Sequence, residues 1–90
     1  MLEELYQTIL DRKGASPEGS YTASLFEKGE DEILKKVGEE SVEVILAAKA
    51  QGNGRLTEEV ADLTYHVLVL LASRGLTPAD IAAELEKRKR

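Results

Sequence analysis

Two pairs of acidic residues stand at helical spacing in the middle of this 90-residue chain. Glu40 and Glu43 form the first pair, and Glu59 and Asp62 form the second. A spacing of three residues on an α-helix places two side chains about 60° apart around the axis. If the two helices pack against each other, the four carboxylates converge on one place. Oxygen ligands at that density suit a hard divalent cation, Mg²⁺ in the first place and Mn²⁺ as an alternative.

These pairs also have a simpler interpretation. Glutamate favours helices, and acidic residues three or four positions apart usually lie on a solvated helix face. Both pairs border an apolar stripe, however, with Val37 and Val44 beside the first and Leu63 beside the second. Carboxylates that are partly removed from water repel each other unless a cation compensates them. The spacing alone leaves a metal site and a solvated acidic face as two open interpretations.

The elements that carry these acids are predicted to be helices. Apolar residues at spacings of three and four predict helices over 2–13, 30–50 and 57–73, a short one over 23–28, and a last one from Pro78 to the basic C-terminus. Gly, Ser and Pro predict a loop over 14–22, and the QGNG run at 51–54 predicts a break before an N-cap at Thr57. The apolar face of the helix over 30–50 is assigned to Ile33, Val37, Val44, Ile45 and Ala48.

This order of elements predicts an all-α fold. The helices over 30–50 and 57–73 are joined by few residues and should form an antiparallel hairpin. So small a domain buries a limited core, and we expect two hairpins from two chains to complete a four-helix bundle in a homodimer. Gly75 is expected to end the helix over 57–73, and Thr77 to cap the last helix with Pro78 in its first turn.

Composition excludes several classes of function. Ninety residues with 42% apolar and 32% charged residues describe one globular domain over 1–90. The absence of cysteine excludes disulfides and thiolate-bound metals. A net charge of −5 has the wrong sign for binding nucleic acid phosphates. No apolar run is long enough for a membrane span, and the acidic start does not resemble a signal peptide, so we expect a cytoplasmic protein without membrane contact.

The acidic pairs belong to longer motifs that resemble a known family. KVGEESVE at 36–43 and EVAD at 59–62 resemble the E-E-x-x-E and E-x-x-D signature of the all-α nucleoside triphosphate pyrophosphatases, a superfamily that includes the MazG-like enzymes. Within it, the chain looks most like the phosphoribosyl-ATP pyrophosphatases of histidine biosynthesis. The residues that carry this closer resemblance span most of the chain: Ser20-Tyr21-Thr22, Leu25, Gly29, Ile33, Lys36-Val37, Asp62-Leu63, Tyr65-His66 and Leu70-Leu71.

The resemblance implies an activity and a set of roles. It implies Mg²⁺-dependent hydrolysis of phosphoribosyl-ATP to phosphoribosyl-AMP and pyrophosphate, with the metal held by Glu40, Glu43, Glu59 and Asp62. It implies that Glu39 orients or deprotonates the attacking water, or contacts a second metal ion. The substrate-binding candidates are Arg12, Ser20, Tyr21, Thr22, Lys28, Lys36 and His66.

Each of these roles has a structural alternative. Lys36 could pair with Glu40, and Ser20 or Thr22 could cap the short helix. Arg12, Lys28 and Glu39 could be ordinary surface residues. His66 could be a hydrogen-bonded packing residue or a partner of a ligating carboxylate, and Tyr65 an interface aromatic.

Two rival functions follow from the same motifs. A MazG-like enzyme that hydrolyses ordinary or damaged dNTPs would have the same metal site and a different base pocket. A non-catalytic helical dimerisation module would carry its acids only for solubility. The first rival differs in substrate choice, and the second predicts no dependence on metal.

Overall fold

A computed structural model describes residues 1–89 of the chain as an assembly of five α-helices. They are α1 (Leu2–Arg12), α2 (Tyr21–Lys28), α3 (Glu30–Ala50), α4 (Gly52–Ser73) and α5 (Pro78–Lys87), with a 3₁₀ turn over Pro17–Gly19 before α2. No strand occurs within the described range, which confirms the predicted all-α class. None of these helices is both long enough and apolar enough to cross a bilayer.

The two long helices, α3 and α4, form the predicted hairpin with a tighter connection than the sequence indicates. Gln51 alone separates them, and Gly52 has a φ of +85°, a conformation that other residues rarely adopt. This one glycine reverses the chain, so Gly54 remains helical. The predicted start of the helix at Thr57 is therefore wrong, because the Thr57 hydroxyl donates to the Asn53 carbonyl oxygen (2.9 Å) inside α4.

The hydrophobic core lies at the open end of this hairpin, away from the α3–α4 turn. It combines residues of four helices: Tyr6, Ile9, Leu25, Ile33, Leu68, Val69, Leu71 and Ala72. On α4 these residues begin only at Leu68, and on α3 the cluster contains only Ile33. The half of the hairpin that carries the acidic pairs is therefore built mainly from α3 and α4 themselves.

The junction between α4 and α5 follows its sequence signals. Gly75 has a φ of +72°, and the Leu76 amide donates to the Leu71 carbonyl oxygen (2.9 Å), which closes the end of α4 in a Schellman arrangement. The Thr77 side chain and the Asp80 side chain cap the start of α5 reciprocally. Both predicted boundaries are confirmed.

One face of α3 is apolar and exposed, contrary to the predicted stripe. Ile33 is buried, whereas Ile45 is 60% exposed. Twelve residues at 100° each leave Ile45 about 120° around the helix from Ile33, so the two side chains cannot share one face. The exposed large apolar residues of α3 are Leu34, Val42, Ile45 and Leu46. Ile45 therefore lies on the exposed apolar face of α3 and outside the core.

Candidate metal centre

Three of the four acidic residues singled out by spacing meet across the hairpin. Glu40 of α3 and Glu59 and Asp62 of α4 each bring one carboxylate oxygen within 4.8 Å of the others. Glu59 is buried at 5% exposure, Glu40 is half-buried, and Asp62 faces solvent. An all-oxygen donor set that opens to solvent fits a hard divalent cation, which keeps water among its ligands.

The electrostatics of this cluster favour a positive charge. Partial burial, and then the negative charge of Asp62, raise the pKa of Glu40 above its ordinary value. His66 opposes this shift, Glu59 adds to it, and Lys36 opposes it least. Crowded carboxylates hold protons more tightly because a neutral group relieves their repulsion. A bound cation would relieve it in the same way.

Arg55 is a member of this cluster that the sequence reasoning missed. Its guanidinium donates to Glu59 (2.5 Å) and to Glu58 (2.6 Å), and these carboxylates, Glu58 foremost, raise the pKa of Arg55. The pairing gives the buried Glu59 a counter-charge. The sequence spacing could have indicated this ion pair, because residues four apart on a helix are neighbours and Arg55 precedes Glu59 by four.

The remaining acids of α3 lie outside the three-residue cluster. Glu43 is half-buried one helical turn beyond Glu40, but it does not meet the other carboxylates within the same distance. Glu39 lies on a different side, with its carboxylate 3.6 Å from the Lys36 ammonium nitrogen. Lys36 thus pairs with Glu39, whereas the sequence alternative paired it with Glu40.

The segment predicted as a loop over 14–22 is helical at its end. Tyr21 and Thr22 form the first turn of α2, which corrects their placement in a flexible loop. The Ser20 hydroxyl accepts a hydrogen bond from the Ala23 amide (3.1 Å), so Ser20 is the N-cap of α2, as one alternative expected. Thr22 is buried and shares a hydrogen bond with the Tyr65 hydroxyl of α4.

His66 is held from both sides of its ring. Its Nδ1 lies 2.8 Å from the Asp62 carbonyl oxygen, and its Nε2 lies 2.8 Å from the Tyr21 hydroxyl. The side chain is buried, at 7% exposure. This geometry agrees with the hydrogen-bonded packing residue that one alternative described, and the role of His66 in substrate binding stays a prediction. The hydrogen-bonded pairs Tyr21–His66 and Thr22–Tyr65 attach α2 to α4.

The two distal cations expected to contact substrate occupy different places. Arg12 ends α1 and lies near Tyr65, whose pKa is raised by burial and lowered in part by the Arg12 charge. Lys28 ends α2, about 10 Å along that helix from Tyr21 at a rise of 1.5 Å per residue. Both side chains are exposed. The Arg12 charge therefore acts on Tyr65, which precedes His66 on α4, whereas Lys28 lies at the opposite end of α2 from Tyr21.

Removing the charge of Glu40 should stabilise the metal-free protein at neutral pH. The pKa of Glu40 is raised above 4.5, so its ionised form is disfavoured in the folded chain. At a pH below 4.5 the unmodified protein is therefore not disfavoured relative to Glu40→Gln. As the pH rises through the raised pKa of Glu40, the unmodified protein becomes less stable than the variant. With chelator present, we expect Glu40→Gln to have a melting temperature a few degrees higher near pH 7, and the difference to vanish in acid.

Thermal unfolding followed by circular dichroism measures this difference. Glu84→Gln is the matched control, because Glu84 is exposed on α5 and lies outside the cluster. A lower melting temperature for Glu40→Gln than for the unmodified protein at neutral pH would contradict repulsion within the cluster.

Comparison with known proteins identifies relatives over nearly the whole chain. A model of the family described as "Phosphoribosyl-ATP pyrophosphohydrolase" matches residues 2–89. A phosphoribosyl-ATP pyrophosphatase of Pelotomaculum thermopropionicum is 57% identical over 99% of this chain and 91% of its own length. The protein of the same name from Lactiplantibacillus plantarum is 59% identical over 98% of this chain and 83% of its own length. That of Saccharolobus solfataricus is 52% identical over 100% of this chain and 96% of its own length.

Proposed function

The chain belongs to the phosphoribosyl-ATP pyrophosphohydrolase family, and we propose that its acidic centre hydrolyses phosphoribosyl-ATP to phosphoribosyl-AMP and pyrophosphate, a step of histidine biosynthesis, with the aid of Mg²⁺. The observation that carries this proposal is the meeting of Glu40, Glu59 and Asp62 across the α3–α4 hairpin. These residues belong to the same two motifs on which the family resemblance rests.

The donor set supports Mg²⁺, with Mn²⁺ as the alternative, because all of its ligand atoms are carboxylate oxygens. Glu40, Glu59 and Asp62 are the proposed ligands, and Glu43, one turn further along α3, is the proposed fourth, directly or through water. When bound, the cation would neutralise negative charge on the phosphate oxygens.

The side chains around the acidic centre have three further proposed roles: accepting a proton, contacting a substrate phosphate and compensating the charge of Glu59. In the hydrolysis, water supplies a hydroxyl to one phosphorus of the α–β anhydride, and the bridging oxygen leaves with the other product. We assign the proton released by this water to Glu39, whose carboxylate is oriented by the Lys36 ammonium, 3.6 Å away. Lys36 is also exposed enough to meet a substrate phosphate. Arg55 keeps Glu59 compensated while the site is empty of cation.

Pyrophosphate release by the purified protein tests this function. It should be measured from phosphoribosyl-ATP beside a panel of common NTPs and dNTPs, each with Mg²⁺ and with chelator. Release from phosphoribosyl-ATP alone, and only with the metal, is the expected result. Release from dNTPs would favour the MazG-like rival, and no release from any substrate would favour the dimerisation module.

We further propose that two chains form a homodimer through the exposed apolar face of α3, defined by Leu34, Val42, Ile45 and Leu46. The half of the hairpin near its turn lacks the cover that the core gives the other half. The radius of gyration is 14.2 Å, whereas a compact domain of 90 residues measures about 12 Å. A second copy seated on this face would complete a four-helix bundle and remove the apolar side chains from water.

Ile45→Glu should convert this dimer to monomers, because it places a charge in the centre of an apolar contact. Light scattering coupled to size-exclusion chromatography measures the mass directly. Leu85→Glu is the matched control, since Ile45 and Leu85 are both 60% exposed and Leu85 lies on α5. An unmodified protein that is already a monomer would refute the dimer, as would an Ile45→Glu variant of unchanged mass.

Three further expectations remain predictions for this chain. They are a single domain over 1–90, a cytoplasmic location, and the absence of nucleic acid and membrane from its partners.

A further inference from the structure

The hydrogen bonds of His66 determine which of its ring nitrogens carries the proton. Nδ1 lies 2.8 Å from the Asp62 carbonyl oxygen, and a carbonyl oxygen can only accept. Nδ1 must therefore donate. In a neutral ring Nε2 is then an acceptor, and the Tyr21 hydroxyl, 2.8 Å away, must donate to it. Tyr21 thus donates to His66 Nε2, and His66 Nδ1 donates to the Asp62 carbonyl oxygen.

This direction restricts what Tyr21 can do at the acidic centre. A phenol has one proton, and His66 takes it, so the Tyr21 oxygen can only accept a further hydrogen bond. Burial raises the pKa of Tyr21, with the charges of Lys36 and Glu40 acting on it in opposite directions, so the phenol keeps its proton at neutral pH. Its hydrogen bond to His66, which is bonded to the Asp62 backbone, places Tyr21 beside the acidic centre. A phosphate oxygen offers no proton. With its proton directed to His66, Tyr21, which the resemblance makes a substrate-binding candidate, does not donate to the triphosphate.

The exposure of the two side chains separates their roles. Tyr21 is 51% exposed beside the centre, whereas His66 is buried with both nitrogens engaged. We propose that His66 is a positioning residue, fixed as its Nδ1–H tautomer, which holds the Tyr21 hydroxyl as an acceptor for a hydroxyl or amino group in the nucleoside part of the substrate. His66 itself makes no substrate contact. The substrate half of this inference rests on the proposed function, and the tautomer does not.

The tautomer can be measured without any substrate. His66 is the only histidine, so a long-range ¹H–¹⁵N spectrum of the labelled full chain contains one imidazole. At about pH 8, above the usual titration range of histidine, we expect a protonated Nδ1 and an unprotonated Nε2. Tyr21→Phe should shift the Nε2 resonance. Tyr6→Phe, which removes a hydroxyl bonded to Leu76, should not. An Nε2–H tautomer in the unmodified protein would overturn the proposal.

The substrate half is tested by comparing a nucleoside ligand with a phosphate-only ligand. Tyr21→Phe should raise the KM for phosphoribosyl-ATP about threefold to tenfold, the value of one hydrogen bond, with kcat nearly unchanged. The Kd of pyrophosphate, measured with Mg²⁺ at about pH 8, should stay the same, because the ionised oxygens of Mg²⁺-bound pyrophosphate accept hydrogen bonds and do not donate them. Adding His66→Phe to Tyr21→Phe should cause little further rise in KM if His66 acts through Tyr21.

The outcomes separate this inference from the proposed function. Equal loss of affinity for phosphoribosyl-ATP and for pyrophosphate would show that Tyr21 contacts phosphates or metal-bound water, and would overturn the inference while the enzyme remains active. An unchanged KM in Tyr21→Phe would overturn it as well. An unmodified protein that releases no pyrophosphate from phosphoribosyl-ATP would refute the proposed function, and with it the substrate half.

Discussion

Asp62→Asn is expected to lower turnover of phosphoribosyl-ATP by about 10²-fold to 10⁴-fold while the protein remains folded. The substitution removes the negative charge of one carboxylate from the three-residue cluster and keeps the size of the side chain. A metal ion supplies several kcal/mol of charge stabilisation to phosphoryl transfer, and each 1.36 kcal/mol is about tenfold in rate. Asp62 faces solvent, so its side chain contributes little to packing. The loss should therefore be catalytic.

The controls for this experiment come from the same chain. Asp11→Asn makes the identical change at an exposed position of α1 and should leave turnover unchanged. Glu43→Gln tests the proposed fourth ligand, and we expect a loss of the same order if Glu43 binds the metal. Thermal unfolding of each variant reports whether the fold is intact. Normal turnover in Asp62→Asn would remove Asp62 from the metal site.

Leu25→Ala should cost about 2–5 kcal/mol of unfolding free energy. Leu25 is among the largest fully buried side chains, at 1% exposure. It belongs to the core at the open end of the α3–α4 hairpin, where α1 and α2 pack. Truncation removes its contacts and leaves a cavity that neighbouring helices fill only partly. Small domains are stable by about 5–15 kcal/mol, so this cost is a large fraction of the total stability.

Urea unfolding at one fixed protein concentration measures this cost, since association would make stability depend on concentration. Leu85→Ala is the matched control, because the same truncation at a 60% exposed side chain should change stability by less than about 0.5 kcal/mol. A cost below about 1 kcal/mol for Leu25→Ala would contradict the assignment of Leu25 to the core.

Local signals along the chain predicted the elements well. The spacing of apolar residues indicated the long helices, and the Thr77-Pro78-Ala79-Asp80 run indicated the start of α5. The misplaced boundary at Thr57 has a physical cause. Two glycines at 52 and 54 looked like equal breakers, yet only Gly52 adopts positive φ, and the helix continues through Gly54. Helix boundaries depend on which of several permissive residues the hairpin geometry uses.

For the acidic centre too, local sequence predicted some features and the packing of helices decided others. Spacing alone indicated that Glu40, Glu59 and Asp62 could converge, because helix periodicity and hairpin pairing are properties of the local sequence. It could not separate Glu43 from that set, since the distance between carboxylates depends on how α3 and α4 pack. Spacing also indicated Glu40 as an ion-pair partner of Lys36, whereas the structure pairs Lys36 with Glu39, because a flexible lysine side chain reaches residues three and four positions away.

By itself, then, the sequence determined the all-α class, the hairpin and the residue types at its centre, since these follow from short-range periodicity and from the chemistry of carboxylates. Only the tertiary structure decided that Thr22 and His66 are buried, that Tyr21 is exposed, and that the Tyr21 hydroxyl lies 2.8 Å from His66 Nε2. These properties arise from contacts between α2 and α4, whose partners lie more than 40 residues apart along the chain. Burial and hydrogen-bond partners depend on both helices of such a contact, so the local sequence of one helix does not predict them.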